Sequence, residues 1–229
     1  MKKFDLIIFD ADHTLFDFQK AEENAIKKLC IDLNIEYSKN ILEIYRTINH
    51  KYWANLEKGL IKANQINIGR FKEFFEFINI NRDFVEYSSK YLIYLSQGNY
   101  LIKDAYKVLK RLYKNYDLVL LTNGLSIVQN PRFNNSEIKE FFKFMIISEE
   151  VGLQKPDKRI FNIIFDRLKI TDLKRVLIIG DSLTSDIQGG INAKITTCWY
   201  NINNSNNNLN IRPNYVINKL TDIFNILGE

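Results

Sequence analysis

Two acidic residues follow the first apolar run of the sequence at a spacing that suits a nucleophile and its proton donor. Asp10 and Asp12 come directly after Phe4–Phe9, in the segment DADHT. A carboxylate at Asp10 can attack an electrophilic atom and form a covalent intermediate. Asp12 can donate a proton to the leaving group and, once ionised, activate the water that releases the product. The pair therefore predicts hydrolysis by covalent catalysis.

Three further polar clusters accompany later apolar runs of the chain. Thr122 and Asn123 follow the second run, Lys155 precedes an amphipathic stretch, and Asp181 and Asp186 come after the fourth run. In an open α/β sheet the loops after the strands gather at the carboxyl edge, which is where ligands bind. We therefore expect all four clusters to meet in one site.

The combined set suits transfer of a phosphoryl group through an aspartyl-phosphate at Asp10. A carboxylate and a phosphate repel each other, so such a site needs positive charge. Mg2+ prefers oxygen ligands, and Asp10, Asp181 and the backbone carbonyl of Asp12 could supply them. Asp186 could be a further ligand or could only orient one. Lys155 could hold the nucleophile and a phosphate oxygen together.

The other phosphate oxygens need hydrogen-bond donors. Thr122 and the backbone amides beside Asn123 can provide them, because loops of this kind present N–H groups to bound anions. The residues thus indicate a site for a small phosphate ester together with Mg2+.

The hydrophobic pattern predicts the elements that position these residues. Amphipathic stretches at Lys158–Leu168 and Ser185–Ala193 predict helices between the later strands. This alternation indicates βαβ units and a doubly wound, Rossmann-like α/β fold. Continuous apolar runs are typical of a parallel sheet that is covered on both faces. The predicted strands are Phe4–Phe9, Leu118–Leu121, Phe144–Ile147, Val176–Ile179 and Ile195–Trp199, with a last one at Tyr215–Ile217.

An insertion of helical character interrupts this alternation after the first strand. From about Phe16 to Leu95 helical periodicity recurs and no stretch indicates a strand. We expect a hydrolase core formed by 1–15 and 96–229, and an all-helical cap domain formed by 16–95. Trp53 and Asn49 are the candidate substrate contacts of the cap. Aromatic residues at helical spacing are, however, more typical of a helical core than of a surface that stacks on a base.

Composition limits the partners and the compartment. The net charge is +5, but basic residues alternate with acidic ones, so no nucleic-acid partner is expected. Cys30 and Cys198 are far apart and form no CxxC pair, which excludes a disulfide scaffold and a thiolate zinc site and fits a reducing cytoplasm. The first apolar run is too short for a signal peptide or a membrane span. The sequence does not distinguish a monomer from a dimer.

The four clusters also resemble the motifs of a known family. DADHT, TNG, KP and GDSLTSD occur in the order of the four motifs of the haloacid dehalogenase superfamily, whose members are hydrolases with an aspartate nucleophile. The resemblance spans essentially the whole chain. It implies a Rossmann-like core with a helical cap of the first type, inserted after the first motif.

Longer segments resemble one branch of that superfamily, the noncanonical pyrimidine 5'-nucleotidases. This resemblance implies nucleoside monophosphates as substrates, among them damaged or noncanonical pyrimidine nucleotides. One departure is Pro131, which lies where a helix should be under way and predicts that this helix is delayed. The segments are FDADHTLFDF, LLTNGLSIVQNPRF, ISEEVGLQKPDKRIF and IIGDSLTSDIQGGINAKITTCWYN.

Other functions remain open on the sequence alone. A general phosphatase for sugar phosphates or phosphoglycolate is the main alternative, because a small hydrophobic cap tolerates many leaving groups. A haloacid dehalogenase attacks carbon and needs neither a metal nor a second acid, so Asp12 and Asp181 favour phosphate. A phosphomutase needs a cap that excludes water, of which the sequence gives no sign. A phospho-accepting signalling module is smaller and lacks an insertion such as 16–95.

Overall fold

The computed structural model describes residues 2–228, and the chain divides into two compact units. The first, which we call the sheet unit, is formed by Met1–Phe18 and Asn99–Glu229. The second, the helical unit, is formed by Gln19–Gly98. The helical unit is thus one continuous segment, inserted between the first strand of the sheet unit and the rest of that unit. Its role as a cap remains a prediction.

The strands of the sheet unit form one parallel sheet. Among residues 2–228 they are β1 (Leu6–Phe9), β2 (Asp117–Thr122), β3 (Phe144–Ile147), β4 (Val176–Gly180), β5 (Thr196–Tyr200) and β6 (Tyr215–Ile217). Their order in the sheet is β3-β2-β1-β4-β5-β6, and every neighbouring pair is parallel. Strand β1 lies in the interior of the sheet. Strands β2 and β3 follow on one side of it, and β4, β5 and β6 on the other. This arrangement confirms the predicted doubly wound α/β fold.

The helical unit contains amphipathic helices that pack around aromatic side chains. Its helices are α1 (Phe18–Leu33), α2 (Lys39–Glu57), α3 (Ala63–Phe77) and α4 (Phe84–Ser96). Ser38 Oγ accepts a hydrogen bond from the N–H of Ile41 at 3.2 Å and so caps α2. Asp83 caps α4 in the same way. The buried aromatic cluster consists of Tyr45, Phe71, Phe74, Phe75 and Tyr91.

Helices cover both faces of the sheet. Ile7 and Phe9 of β1 lie in one buried cluster and Leu6 and Ile8 in another, because neighbouring residues of a strand point to opposite faces. Burial on both sides explains why the strands are unbroken apolar runs. Within residues 2–228 we find no helix with the length and hydrophobicity that a membrane span requires. The helices of the sheet unit are α5 (Ala105–Leu112), α6 (Ser126–Asn134), α7 (Ser148–Val151), α8 (Lys158–Leu168), α9 (Gln188–Asn192) and α10 (Ile223–Leu227).

Helix α6 differs from the prediction made at Pro131. We expected this proline to delay the helix, but α6 begins at Ser126 and continues through Pro131 to Asn134, so that prediction is wrong. Proline removes the bond from its own nitrogen to the carbonyl four residues earlier, which belongs to Ile127. Ile127 is 55% exposed, so the lost bond lies on the solvent-exposed side of the helix, which continues through the proline.

Candidate active site

The carboxylate of Asp10 lies at the carboxyl end of β1, where it contacts a buried ammonium group. The backbone N–H of Asp10 donates to the carbonyl of Ile179 in β4 at 2.9 Å. Lys155, in the loop before α8, places its Nζ 2.5 Å from Asp10 Oδ1. Both side chains are buried, so the two opposite charges are poorly screened and interact strongly.

Lys155 also contacts the side chain of Asp186 and the end of β2. Its Nζ lies 2.7 Å from Asp186 Oδ1 and 2.8 Å from the carbonyl oxygen of Leu121. Together with the bond to Asp10, these contacts use the three donors of an ammonium group. The predicted contact between Lys155 and a phosphate oxygen would therefore replace one of these three bonds.

Three carboxylates meet beside Lys155. One oxygen each of Asp10, Asp181 and Asp186 lies within 4.8 Å of the others. When all three are ionised they face a single positive charge, so negative charge is in excess. Oxygen donors with excess negative charge match a hard divalent cation such as Mg2+. The residues present therefore fit the predicted metal, to which Asp12 could add its backbone carbonyl.

Burial and repulsion shift the titration of these groups. Burial raises the pKa of Asp10 well above its ordinary value; Lys155 opposes this effect, whereas Asp186 and Asp181 add to it. Burial also raises the pKa of Asp181 to about 7, and Asp186 contributes to the rise. Burial by itself lowers the pKa of Lys155, but the carboxylates of Asp10 and Asp186 outweigh it and raise that pKa. Further positive charge would favour the ionised form that a nucleophile at Asp10 needs.

Asp186 reaches Lys155 because Gly180, at the end of β4, has no side chain. A Cβ on Gly180 would overlap the carboxylate of Asp186. The second oxygen of Asp186 accepts from the backbone N–H of Ser182 at 3.0 Å. Both oxygens of Asp186 are thus engaged, one by Lys155 and one by the backbone. This geometry suits a residue that orients Lys155.

Asp181 is held by two residues that the sequence analysis did not single out. Thr14 Oγ1 donates to Asp181 Oδ1 at 3.3 Å, and Trp199 Nε1 donates to the backbone carbonyl of Asp181 at 2.8 Å. Thr14 belongs to the DADHT segment, so its position close to Asp10 and Asp12 in the sequence could have indicated that it lies in the site. Trp199 lies at the end of β5, and its contact becomes visible only in the folded chain.

The loop after β2 fixes the backbone of Lys155. The side-chain amide of Asn123 donates to the carbonyl of Lys155 at 2.9 Å, and its Oδ1 accepts from the N–H of Lys155 at 2.9 Å. Because both ends of its side-chain amide are bonded to Lys155, Asn123 can contact a phosphate only through its backbone N–H. Thr122 Oγ1 accepts a hydrogen bond from the N–H of Gly124 at 3.1 Å. Because Oγ1 is the acceptor in this bond, its hydroxyl group can still donate a hydrogen bond to a ligand.

Two further residues outside the sequence prediction contact the carboxylate of Asp12. Arg132 Nη1 lies 2.5 Å from Asp12 Oδ1, and Gln129 Nε2 donates to Asp12 Oδ2 at 2.6 Å. Both residues belong to α6 and both are buried. Their spacing could have indicated a shared role, because polar residues three apart in a helix lie on the same face.

The two candidate substrate residues of the helical unit differ in their surroundings. Asn49 is buried; its Nδ2 donates to Glu22 Oε1 at 3.1 Å and its Oδ1 accepts from Arg70 Nη1 at 2.8 Å. Both ends of its amide are thus bonded inside the helical unit. Trp53 lies one turn further along α2 and is half-buried. Trp53 therefore keeps exposed surface that a ligand could contact.

Sequence comparisons relate the chain to known hydrolases. Residues 7–200 match the family described as haloacid dehalogenase-like hydrolase. The HAD-hydrolase YfnB of Bacillus subtilis (strain 168) is 37% identical over 228 residues, which cover 100% of this chain and 97% of YfnB. The pyrimidine 5'-nucleotidase PynA of Streptococcus pneumoniae is 32% identical over 227 residues, 99% of this chain and 96% of PynA. The pyrimidine 5'-nucleotidase YjjG of Escherichia coli (strain K12) is 29% identical over 225 residues, 98% of each chain.

A solved structure has the same fold along the entire chain. The crystal structure of B. subtilis YfnB has a TM-score of 0.94 and 36% sequence identity, and the match covers 100% of both chains. That structure is described as bound to magnesium and as revealing interdomain movement.

Proposed function

Because the chain belongs to the haloacid dehalogenase-like hydrolase family, as its motifs predicted, we propose that it is a Mg2+-dependent phosphatase. We propose 5'-nucleoside monophosphates as its substrates, with pyrimidine nucleotides foremost, noncanonical ones among them. The observation that carries the phosphatase reaction is the cluster of three carboxylates beside Lys155. The nucleotide substrate is supported by the similarity to PynA and YjjG, which are named pyrimidine 5'-nucleotidases.

In the first step of the proposed mechanism, Asp10 attacks the phosphorus atom of the ester. A bond forms between an Asp10 oxygen and phosphorus, the bond from phosphorus to the leaving oxygen breaks, and Asp12 gives that oxygen a proton. Lys155, 2.5 Å from Asp10, favours the ionised form of the nucleophile. Thr122 and the backbone N–H of Asn123 donate to the phosphate oxygens.

In the second step, water hydrolyses the aspartyl-phosphate. The water oxygen bonds to phosphorus, its proton passes to the ionised Asp12, and Asp10 leaves as a carboxylate. Asp10, Asp181 and the backbone carbonyl of Asp12 would hold the metal, which when bound offsets the repulsion between carboxylate and phosphate. We assign Asp186 to the orientation of Lys155, since both of its oxygens are already hydrogen-bonded.

A phosphatase screen with Mg2+ tests the proposal. The panel contains UMP, dUMP and TMP, hexose phosphates, phosphoglycolate and a 2-haloacid, with excess EDTA as the metal-free control. We expect the pyrimidine nucleotides to have the highest kcat/KM and EDTA to remove turnover. A higher kcat/KM for sugar phosphates would leave only a general phosphatase, and halide release without phosphate release would establish a dehalogenase. Full activity in excess EDTA would reject the metal.

A further inference from the structure

The carboxylate of Asp12 is held at both of its oxygens by donors from one helix. Arg132 Nη1 contacts Oδ1 at 2.5 Å and Gln129 Nε2 contacts Oδ2 at 2.6 Å. Arg132 is 0% exposed and Gln129 is 2% exposed, whereas the side chain of Asp12 is 23% exposed. The two buried side chains thus support one that is open to ligands.

The supporting side chains are themselves fixed by packing. The guanidinium of Arg132 lies 4.9 Å from the ring centroid of Phe16 and 6.0 Å from that of Phe18, as in cation–π contacts. The side chain of Gln129 packs directly against Gly124, and a Cβ on Gly124 would overlap the side chain of Gln129. Gly124 is therefore the residue that allows Gln129 to reach Asp12. Neither support can change its position without disturbing a packed neighbour.

We propose that Gln129 and Arg132 are positioning residues for Asp12, an inference that rests on the proposed function. An aspartate side chain free in a loop samples several staggered rotamers, and only some of them would direct its oxygen to the leaving group or to water. A bond to each oxygen selects one orientation of the carboxylate. Loss of either bond would let the carboxylate of Asp12 move, and a displacement of about 1 Å can cost about 10²-fold in rate. Because Asp12 acts in the chemical steps, the two bonds affect those steps and not the binding of substrate.

Replacement of Gln129 by methionine removes one of these bonds with little change in shape. In the part of the chain that the structure describes, Gln129 Oε1 has no hydrogen-bond partner, so Gln129→Met removes the donor to Asp12 and no other side-chain bond. The matched control is Asn130→Leu, on the same helix, which removes an amide that donates to Glu150 at 2.7 Å. Arg132→Lys keeps the charge at the second support and is the conservative variant.

Kinetics with two kinds of ester test the role. One ester has an alkyl leaving group that needs a proton (UMP, or the best alkyl phosphate of the screen), and the other is nitrophenyl phosphate, which needs little protonation. For Gln129→Met we expect kcat/KM, which reports the steps up to loss of the leaving group, to fall about 10-fold on the alkyl ester and less than about 3-fold on nitrophenyl phosphate. Arg132→Lys should retain more activity than Arg132→Met, and Asn130→Leu should match the wild type.

A double-mutant cycle with Asp12→Asn separates positioning from a general effect on the fold. If Gln129 acts through Asp12, Gln129→Met should cause no further loss in the Asp12→Asn background. Equal losses in kcat/KM on both esters, or a full additional loss in that background, would overturn the proposal. No turnover of any phosphate ester by the wild type would refute the proposed function itself, and the positioning role with it. If circular dichroism shows that Arg132→Lys is unfolded, the double-mutant cycle of Gln129→Met with Asp12→Asn tests the proposal by itself.

Discussion

Lys155 shows how far the site depends on a single side chain. Its ammonium group donates to Asp10, to Asp186 and to the carbonyl of Leu121, so it joins the ends of β1 and β2 to the helical turn after β4, Leu183–Ile187. Arginine is a poor substitute, because its planar guanidinium is larger and holds its donors in a fixed fork. Without the ammonium, two buried carboxylates would face each other with no cation between them.

Asp10→Asn tests the nucleophile directly. We expect kcat for every phosphate ester to fall by about 10⁴-fold or more, because an amide is a poor nucleophile. The measurement is phosphate release at saturating Mg2+, with circular dichroism to show that the variant folds. The matched control is Asp83→Asn, which replaces the cap of α4 with an equally good capping residue and should keep wild-type kcat. A loss of less than about 10-fold in Asp10→Asn would contradict the assignment.

At the scale of elements, the sequence predicts the sheet well for a physical reason. Strands buried on both faces are short unbroken apolar runs, and the predicted Val176–Ile179 differs by one residue from the fully buried β4. The predicted Phe144–Ile147 and the predicted edge strand Tyr215–Ile217 coincide with the observed strands. The contacts of Gln129 and Arg132 with Asp12 were not predicted, because they join residues 117 and 120 positions apart. Periodicity reports which face of a helix is buried but not which distant loop that face meets.

The helices of the helical unit are joined by a buried polar network around Arg70. Arg70 is 1% exposed; it donates to Asn49 and Asn67, and its guanidinium lies 5.0 Å from the ring centroid of Tyr91. Asn49 in turn donates to Glu22 of α1. The network therefore links α1, α2 and α3 by bonds that require one arrangement of these helices.

Arg70→Met should destabilise the helical unit. Methionine fills most of the volume but leaves Asn49 Oδ1 buried without this donor, which costs about 1–3 kcal/mol in the free energy of unfolding. Urea unfolding of the full chain measures the loss, and limited proteolysis should show new cleavage within 19–98. Arg82→Met, at an exposed position, is the control and should change stability by less than about 0.5 kcal/mol. Equal stabilities of the two variants would show that the network adds nothing.

Trp53 is the residue of α2 that we propose as a contact of the nucleotide base. If it stacks on the base, Trp53→Ala should raise KM for nucleoside monophosphates by about 10-fold or more, since such stacking is worth about 1–3 kcal/mol. Turnover of nitrophenyl phosphate, which has no base, should hardly change. Equal losses on the two substrates, or loss of the fold, would place Trp53 in the core of the helical unit instead.

At the scale of the whole molecule, each unit contains one buried cysteine. Cys30 lies in α1 of the helical unit and Cys198 in β5 of the sheet unit, and both thiols are free. Burial raises the pKa of Cys30, and burial together with the charge of Asp222 raises the pKa of Cys198 to about 12. Because the thiolate is the reactive form, both thiols should react slowly with alkylating reagents while their unit is folded.

The thiol of Cys198 also predicts how stability responds to alkaline pH. Its pKa is higher in the folded chain than in the unfolded chain, where it is about 8.5, so the unfolded state loses its proton first. The stabilising contribution is complete below about pH 8.5 and is lost as the pH rises towards 12, by about 1.4 kcal/mol per pH unit. Urea unfolding between pH 8 and 11 measures this decrease. Cys198→Ala should show a shallower decrease than the wild type, and equal slopes would contradict the prediction.

The position of the insertion determines the order in which the ribosome makes the parts of the site. Strand β1 is synthesised first, yet its neighbour β2 begins at Asp117, after the entire helical unit, and its other neighbour β4 begins at Val176. At about 5–20 residues per second, β1 waits on the order of ten seconds for its first partner. During translation this apolar strand therefore stays unpaired until its partners in the sheet emerge. Asp10, the proposed nucleophile, is made early, but Lys155, Asp181 and Asp186 emerge only with the last third of the chain.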